Sequence, residues 1–213
     1  MASPMKIHWG ISVENVLTTK AFQVGSITKY IRGTFLAASL KGIIHFSREK
    51  IIAHYPSKQI SIAYIEKYNV IVGISADNHK FVSFHNNDLR SPVPVEGPQC
   101  EDLNALHMLF APISGVLITF GDHIIMWNVK YISAPNSLVY VPARVEISQK
   151  CKILLQEPTS ILNPPMFDLK KEILYVNKTD EKCVSAYSIN GKLIDNIMTF
   201  NCDSKTIVGY CSK

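Results

Sequence analysis

The chain alternates short apolar runs with small clusters of turn-forming residues throughout its length. The clearest case is the pair Val116–Phe120 and Ile124–Val129, two runs rich in β-branched residues joined by Gly121-Asp122-His123. Runs of this length and composition, separated by Gly-Asp, are typical of the two strands of a hairpin. No long stretch keeps a helical period, because Ser, Thr, Gly and Pro interrupt every candidate. The pattern therefore predicts a nearly all-β chain.

An aromatic residue near the end of one strand in each hairpin recurs along the chain. The separations between successive aromatic markers are 37, 38, 43 and 60 residues, and the markers are Trp9, Phe46, Phe84, Trp127 and Tyr187. Three of the separations lie near the roughly 40–45-residue period of a four-stranded propeller blade. The longer one predicts an outer loop or an added strand between Val129 and Thr159. A large aromatic at this position is expected to fill the layer between two sheets.

Each marker defines one unit of about four strands. We predict a single propeller region over residues 1–213, with blades at 1–25 (partial), 26–58, 59–99, 100–150 and 151–213. The main predicted strands are Ile27–Ile31, Thr34–Leu40, Ile43–Ser47, Ile51–His54, Ile60–Ile65, Val70–Ser75, Phe81–His85, Ala105–Phe110, Ser137–Val145, Glu172–Asn177, Cys183–Ser188 and Lys192–Phe200.

Two further signals refine this assignment. Pro92 and Pro94 restrict the segment around Val93 to an edge strand or a loop, because proline cannot donate to a strand ladder. Asn190-Gly191 predicts a type I′ hairpin turn between the last two strands of the fourth full unit.

The third full unit resembles a WD40 repeat. That family places a small hydroxyl residue in the second strand, an aspartate in the following turn and Ile-x-x-Trp in the third strand. Here Thr119, Asp122 and Ile124–Trp127 match, with the aspartate shifted by one position. The resemblance implies a β-propeller of four-stranded blades.

The preceding unit carries the same pattern in weaker form. Ser75 and Asp77 match the hydroxyl and aspartate positions, and Phe84 stands for the tryptophan with one residue added. The family's Gly-His ahead of the first strand is nearly absent, and Ala53-His54 is its nearest relative. The resemblance, which spans about residues 6–200, therefore implies blades held by packing more than by the family's hydrogen-bonded set.

Propellers of this family usually close with more blades than these units supply, and the first unit begins in mid-blade at Trp9. Three arrangements remain open. The chain is part of a longer protein and forms an open arc, another chain completes the ring, or the first and last segments share one composite blade in a small ring. We favour the first two. Thr206–Tyr210 supplies one more candidate strand near the end.

Composition places the chain among globular proteins. It has 213 residues, of which 47% are hydrophobic and 18% charged, and no apolar run approaches the ~18–20 residues that span a bilayer. The net charge of +5 is modest and scattered, so nucleic acid is not expected as a partner. Five cysteines without C-x-x-C spacing, and a start that lacks a secretory signal, predict buried thiols in a reducing, cytoplasmic setting.

The residues that could carry chemistry have simpler explanations. Seven histidines are present, and His45, like His8, directly precedes a marker aromatic, which repeat structure explains without metal ligation. Asp77 and Asp122 are expected to cap turns, as aspartate often does. Ser75 and Thr119 lack the pattern of a nucleophile. We therefore predict no catalytic residue, no metal site and no cofactor.

Two histidines and four arginines are candidates for partner contacts. His79 and His123 lie in predicted tight turns, where histidine tolerates unusual dihedrals. Arginine is enriched at binding hot spots, although ordinary solvated charge explains these positions more simply; the arginines are Arg32, Arg48, Arg90 and Arg144.

The function that the resemblance implies is protein–protein binding without catalysis, as a scaffold in a larger multi-subunit assembly. A cytoskeletal or ciliary assembly is our first expectation, with no membrane and no small-molecule ligand involved. The alternative is a propeller enzyme or small-ligand module with polar residues converging at a central channel. The predicted inner strands Ile60–Ile65 and Ala105–Phe110 are mostly apolar, which favours the scaffold.

Overall fold

The computed structural model describes residues 24–86, 88–97, 107–133, 143–155, 165–178 and 183–198. Within these ranges the regular structure is β-strand, apart from two short 3₁₀ turns at Ile31–Gly33 and Glu66–Tyr68. The strands form four antiparallel sheets, three with four strands and one with five. The predicted all-β fold, built from four-stranded propeller blades, is confirmed.

The chain divides into two compact units, Met1–Val95 and Glu96–Lys213. The first unit holds two sheets in which successive strands are neighbours. The first sheet consists of β1 (Val24–Lys29), β2 (Phe35–Ser39), β3 (Gly42–Phe46) and β4 (Ile51–Tyr55). The second consists of β5 (Gln59–Ile65), β6 (Val70–Ser75), β7 (Phe81–His85) and β8 (Asp88–Val93).

The second unit repeats this up-and-down order. The third sheet consists of β10 (His107–Ala111), β11 (Val116–Phe120), β12 (His123–Ile132) and β13 (Arg144–Leu154), with β9 (Val95–Glu96) added beside β13. The fourth consists of β14 (Met166–Asp168), β15 (Ile173–Lys178), β16 (Cys183–Ser188) and β17 (Leu193–Met198).

The second strand of a sheet is buried on both faces. Every residue of β6 and of β11 is buried, whereas outer strand β4 alternates half-buried and exposed residues and β17 is almost entirely exposed. A strand covered on both faces reads as a continuous apolar run, which is how Val70–Ser75 and Val116–Phe120 read in the sequence. Burial therefore falls from the middle of each sheet to its outer strand.

The two sheets of the first unit pack face to face. Leu36, Ala38 and Ile43 of the first sheet share a core with Ile62, Ile71 and Phe84 of the second. The hydroxyl of Ser26 accepts the backbone N–H of Ile62 at 2.9 Å, so β1 also satisfies a backbone donor of β5. Neither sheet could bury this face alone, which is the physical reason that such sheets occur as stacks.

The second unit is built in the same way. Its core joins side chains of the third sheet, among them Ile118 and Met126, to Leu174, Val176 and Tyr187 of the fourth. Positive-φ residues directly precede β6, β11 and β15, at Asn69 (55°), Gly115 (71°) and Glu172 (50°). The turn from first to second strand therefore has a similar backbone in three sheets, although only one of the three residues is glycine.

A β-bulge recurs where the third strand of each sheet pairs with the fourth. The register shifts between His45 and Phe46, between Met126 and Trp127, and between Ala186 and Tyr187; in the second sheet it shifts between Phe84 and His85. A bulge adds local twist and is often found toward sheet edges. All four shifts lie next to a marker aromatic.

The sequence misplaces one strand and one blade boundary. The fourth strand of the third sheet is β13, Arg144–Leu154, which shares only Arg144 and Val145 with the predicted Ser137–Val145; residues 137–142 lie outside the described ranges. The boundary predicted at residue 150 consequently falls inside β13. In the sequence, the apolar run before Pro142 is a stronger strand signal than the segment that follows it. In that later segment Val145, Ile147 and Ile153 are buried but stand among polar residues.

The turn at Asn190-Gly191 also differs from the prediction. Type I′ needs positive φ at both central residues, but of the two only Gly191 has it, at 74°. The Ser188 N–H bonds to the Lys192 carbonyl at 2.8 Å, so three residues form the loop. The short strand β14 was not predicted, and the partial first blade lies outside the described residues apart from its end at Val24–Gly25, as does Thr206–Tyr210.

Candidate functional site

The marker aromatics of the four sheets occupy equivalent positions on their third strands. Phe84 and Tyr187 lie in the cores shared with the preceding sheet of their own unit. Phe46 and Trp127 lie on the face opposite to the one that packs on the following sheet. The side chain therefore points to the same side of each sheet. Trp9 is outside the described residues.

Trp127 makes a buried hydrogen bond to Thr119. The indole Nε1–H donates to the threonine hydroxyl at 2.9 Å, and both side chains are fully enclosed. Leu117 pairs with Trp127 in the ladder, so Thr119 lies two residues along the same face of β11. A tryptophan that buries its ring usually finds a partner for its N–H, and Thr119 supplies that partner within the third sheet.

Ser75 does not share the position of Thr119. In the second sheet the residue two places beyond the partner of Phe84 is Gly73, whereas Ser75 ends β6 and accepts the backbone N–H of Asp77 at 3.2 Å. Its counterpart is Ser39, which ends β2 and accepts the N–H of Lys41 at the same distance. The connection between β6 and β7 is three residues longer than that between β11 and β12, so counting back from the marker aromatic places Ser75, and not Gly73, with Thr119.

The two aspartates of the matched pattern lie in exposed turns. Asp77 follows β6 and Asp122 lies in the connection between β11 and β12. His79, in the same turn as Asp77, adopts a positive φ of 54°, and His123 begins β12. The structure thus places these residues in, or directly after, the connection between the second and third strands of their sheets.

A polar and aromatic cluster lies in the packing layer of the first unit. The ring of Tyr30 makes edge contacts with His45 and Tyr64, at centroid distances of 5.1 and 5.0 Å. Its hydroxyl donates to the Asn86 carbonyl at 2.9 Å, and a His45 ring nitrogen lies 2.9 Å from the Thr34 hydroxyl. The Tyr30 hydroxyl and the His45 ring therefore both have polar partners. The contacts of Tyr30 with Tyr64 and with the Asn86 carbonyl join the first sheet to the second.

Burial governs the titration of this cluster. It raises the pKa of Tyr30 to about 12, with the nearby Tyr64 and Tyr55 adding to the rise. Desolvation also lowers the pKa of His45 below its ordinary value of 6.5, because the charged imidazolium is disfavoured there. Both shifts favour the neutral form, as expected for groups with a structural role.

In the second unit a single carboxylate joins two sheets. Glu172, which is 8% exposed, accepts the backbone N–H of Ile113 at 2.8 Å and that of Ser114 at 3.0 and 3.1 Å from its two oxygens. The turn between β14 and β15 thereby fixes the turn between β10 and β11. The sequence predicted Glu172 as the start of a strand and gave no signal of this contact.

The arginines singled out in the sequence fall into two groups. Arg144 is half-buried and pairs with Glu96 at 2.9 Å and with Glu146 at 3.2 Å, which ties β13 to the neighbouring β9. The other three, Arg32, Arg48 and Arg90, are exposed.

Within the described ranges, the exposed large apolar side chains lie at the margins of the sheets. All lie in turns, at strand ends or on outer strands, and they are Ile31, Leu40, Ile52, Ile113, Leu154, Leu169, Leu193 and Ile194. Ile113 and Leu154 are the most exposed, at 72 and 73%. Burial on both faces of the middle strands leaves these rims as the apolar surface available for contact.

Neither metal ligands nor a disulfide is found in the described part of the chain. No group of three or more His, Cys, Asp or Glu residues there has the arrangement of a metal site. Cys151 and Cys183 form no disulfide, and desolvation raises the pKa of Cys151. No helix among these residues is long and apolar enough to cross a membrane.

Comparison with known proteins identifies a fold and no family. No family model matches the chain, and no curated protein matches it. A protein of unknown function from Bacteroides caccae is similar over 84% of this chain and 62% of its own, with a TM-score of 0.50 and 10% identity. At this identity the likeness shows the fold alone.

Two other solved structures resemble the chain more weakly. Streptogramin B lyase aligns over 79% of this chain and 52% of its own, with 13% identity and a TM-score of 0.48. PorZ, a surface component of the type-IX secretion system of Porphyromonas gingivalis, aligns over 77% and 19%, with 10% identity and a TM-score of 0.46. The chain spans less than two thirds of each of the three structures. The likeness to these structures extends to the fold alone, and no comparison indicates the WD40 family.

Proposed function

We propose that this chain is a non-catalytic, propeller-type interaction module that binds other proteins through the rims of its sheets. The observation that carries the proposal is the location of the exposed large apolar side chains, all of which lie in turns, at strand ends or on outer strands. Apolar surface that stays exposed in a folded protein can mark a site of protein interaction.

The polar groups between the sheets also support the proposal, because they already have partners within the protein. Tyr30, His45 and Glu172 are polar groups that lie where sheets of one unit meet, and each bonds to a neighbouring turn or side chain. They stabilise sheet packing, which leaves the rims for binding. The WD40 resemblance at Thr119 and Trp127 agrees with such a module, and the cytoskeletal or ciliary setting stays a prediction.

No feature of the described residues favours the alternative, a propeller enzyme or small-ligand module. One similar structure is named a streptogramin B lyase, but the low TM-score and partial coverage give that likeness no weight for this chain. A cytoplasmic location likewise stays a prediction.

Partner purification tests the proposal. The tagged full chain, recovered from the cells that produce it, should co-purify with a protein at constant stoichiometry. Ile113→Ser and Leu154→Ser each exchange a strongly exposed apolar side chain without touching the core, and at least one should weaken binding of that protein about tenfold. A chain that purifies alone, or a partner indifferent to every rim substitution, would contradict the proposal.

A further inference from the structure

The outer edge of β13 accepts a fifth strand over only part of its length. β13 has 11 residues, and the two-residue strand β9 is hydrogen-bonded beside it. Glu96 of β9 pairs with Arg144. A Cβ added to Gly97, the next residue, would lie 3.1 Å from the Ile147 carbonyl oxygen, so β9 lies beside the first residues of β13. We call the remainder, Ser148–Leu154, the free edge, because no strand of the described ranges lies beyond it.

The free edge is exposed and basic. Lys150 and Lys152 both reach solvent, and the segment contains no acidic residue. The acids nearest in the same two strands, Glu96 and Glu146, both pair with Arg144. Neither lysine takes part in an ion pair within the described ranges. The unpaired backbone of the free edge is therefore flanked by positive charge alone.

The neighbouring turn adds to this charge. The turn between β16 and β17 lies against the free edge, since a Cβ on Gly191 would be 3.0 Å from the Sγ atom of Cys151 and 3.7 Å from Ile153. That turn contributes Lys192, which is exposed, and its residues 189–192 include no acid. The surroundings of the free edge on this side are consequently also basic.

A second copy of the chain does not suit the free edge. Antiparallel pairing of two such edges about Cys151 would set Lys150 opposite Lys152, and like charges directly opposite each other destabilise a sheet. Lys150 is also the extra residue of the bulge in the pairing of β12 with β13. Edge lysines and bulges are devices that discourage the pairing of identical edges. Charge complementarity favours an acidic strand instead.

We propose that the free edge binds an extended, acidic segment of a partner protein as an added strand. Backbone hydrogen bonds to the segment supply affinity, as in other cases of strand addition, and Lys150 and Lys152 select for Asp or Glu side chains. β13 is already held in place by its pairing with β12, so the ordering cost falls mainly on the incoming segment. This inference rests on the proposed function and specifies the kind of segment that the module binds.

Charge reversal isolates the selection by the lysines. The edge variant carries Lys150→Glu and Lys152→Glu. The control variant carries Arg48→Glu and Lys50→Glu in the turn between β3 and β4, where both residues are exposed, and it changes the net charge by the same amount. Both variants should unfold at the same urea concentration as the unsubstituted chain, because all four side chains lie in solvent.

Peptide display on the full chain supplies the probes. Random 12-residue libraries should yield sequences in which Asp or Glu alternates with Val, Ile or Thr. A synthetic peptide of this kind should bind the edge variant at least tenfold more weakly than the control variant. A fully N-methylated version of the same peptide keeps its side chains but has no backbone donors, so it should bind the unsubstituted chain at least tenfold more weakly than its parent.

Several outcomes would overturn this inference. Binding that survives N-methylation would mean that charge alone attracts the peptide, and equal losses in the two variants would trace binding to net charge. No enrichment, or enriched peptides without acidic residues, would refute the free edge as a site for acidic strands. A stable dimer in sedimentation velocity that the edge variant alone alters would assign the free edge to a second copy. None of these results bears on partner purification, which decides the proposed function separately.

Discussion

The indole N–H of Trp127 donates to the hydroxyl of Thr119 across two strands of the third sheet, at 2.9 Å and out of contact with water. The equivalent positions beside Phe46, Phe84 and Tyr187 hold Ala37, Gly73 and Val176, which have no side-chain acceptor. The third sheet therefore adds a specific polar contact where the other three use apolar packing alone.

Removing the acceptor should cost more than removing the methyl group. Thr119→Val keeps the shape of the side chain but takes the hydroxyl from a buried donor, and we expect the free energy of unfolding to fall by about 1–3 kcal/mol. Thr119→Ser keeps the hydroxyl and should cost about 1 kcal/mol or less. Urea unfolding followed by tryptophan fluorescence measures both. Equal losses would mean that the hydrogen bond adds nothing beyond packing.

Deleting the ring tests the packing role of the marker itself. Trp127→Ala should lower the free energy of unfolding by about 3–5 kcal/mol, as large-to-small substitutions in a core do. Trp127→Phe keeps most of the apolar volume and should lose much less. Far-ultraviolet circular dichroism during urea unfolding gives both values, since it does not depend on the tryptophan. A loss below about 1 kcal/mol for the alanine variant would place Trp127 outside the core, against its complete burial.

The local pattern of the chain was sufficient to predict most strands, because strands buried on both faces read as short apolar runs between turn residues. Among the described markers, Phe46, Phe84, Trp127 and Tyr187 lie next to the register shift of the third strand in their sheets. The pattern failed at Arg144–Leu154, whose burial alternates but whose composition is polar. It also failed at Ser75, because the connection between β6 and β7 is three residues longer than that between β11 and β12, which shifts the register of a match by sequence.

The contacts between sheets could not be read from the sequence. Glu172 begins no motif, and only the stacking of two sheets brings its carboxylate to the turn at Ile113. The same holds for Tyr30 and His45, which come together through the layer between β1, β3 and β5. Such contacts depend on tertiary packing, for which residue spacing carries no signal.

The Glu172 carboxylate should contribute measurably to the second unit. Glu172→Ala leaves the N–H groups of Ile113 and Ser114 without their charged acceptor, so the free energy of unfolding should fall by about 2–3 kcal/mol. Glu172→Gln retains one carbonyl acceptor, so its free energy of unfolding should lie between those of the unsubstituted chain and the alanine variant. Chemical unfolding at neutral pH compares the three proteins. An alanine variant as stable as the unsubstituted chain would show that water replaces the carboxylate without loss.

Two glycines with positive φ should respond very differently to a methyl group. At Gly42 (φ +133°) an added Cβ would overlap the Tyr55 carbonyl oxygen, so Gly42→Ala should cost about 3 kcal/mol or more or prevent folding. At Gly33 (φ +74°) no atom lies within 4 Å of the added Cβ. Gly33→Ala should therefore cost only the dihedral preference, about 1 kcal/mol. Thermal unfolding of both variants makes the comparison, and similar melting temperatures would contradict the close approach at Gly42.

Acidification should destabilise the first unit through His45. Its pKa is lower in the folded protein than the ordinary 6.5, because partial burial disfavours the charged imidazolium. Between pH 6.5 and that lower value the unfolded chain binds more protons than the folded one, so the free energy of unfolding falls as pH falls. Urea unfolding from pH 8 to 5 measures the slope. His45→Gln should flatten it, whereas His107, whose pKa burial also lowers, keeps part of it. His54→Gln, at an exposed position, is the control; an equal flattening by both substitutions would remove His45 as the cause.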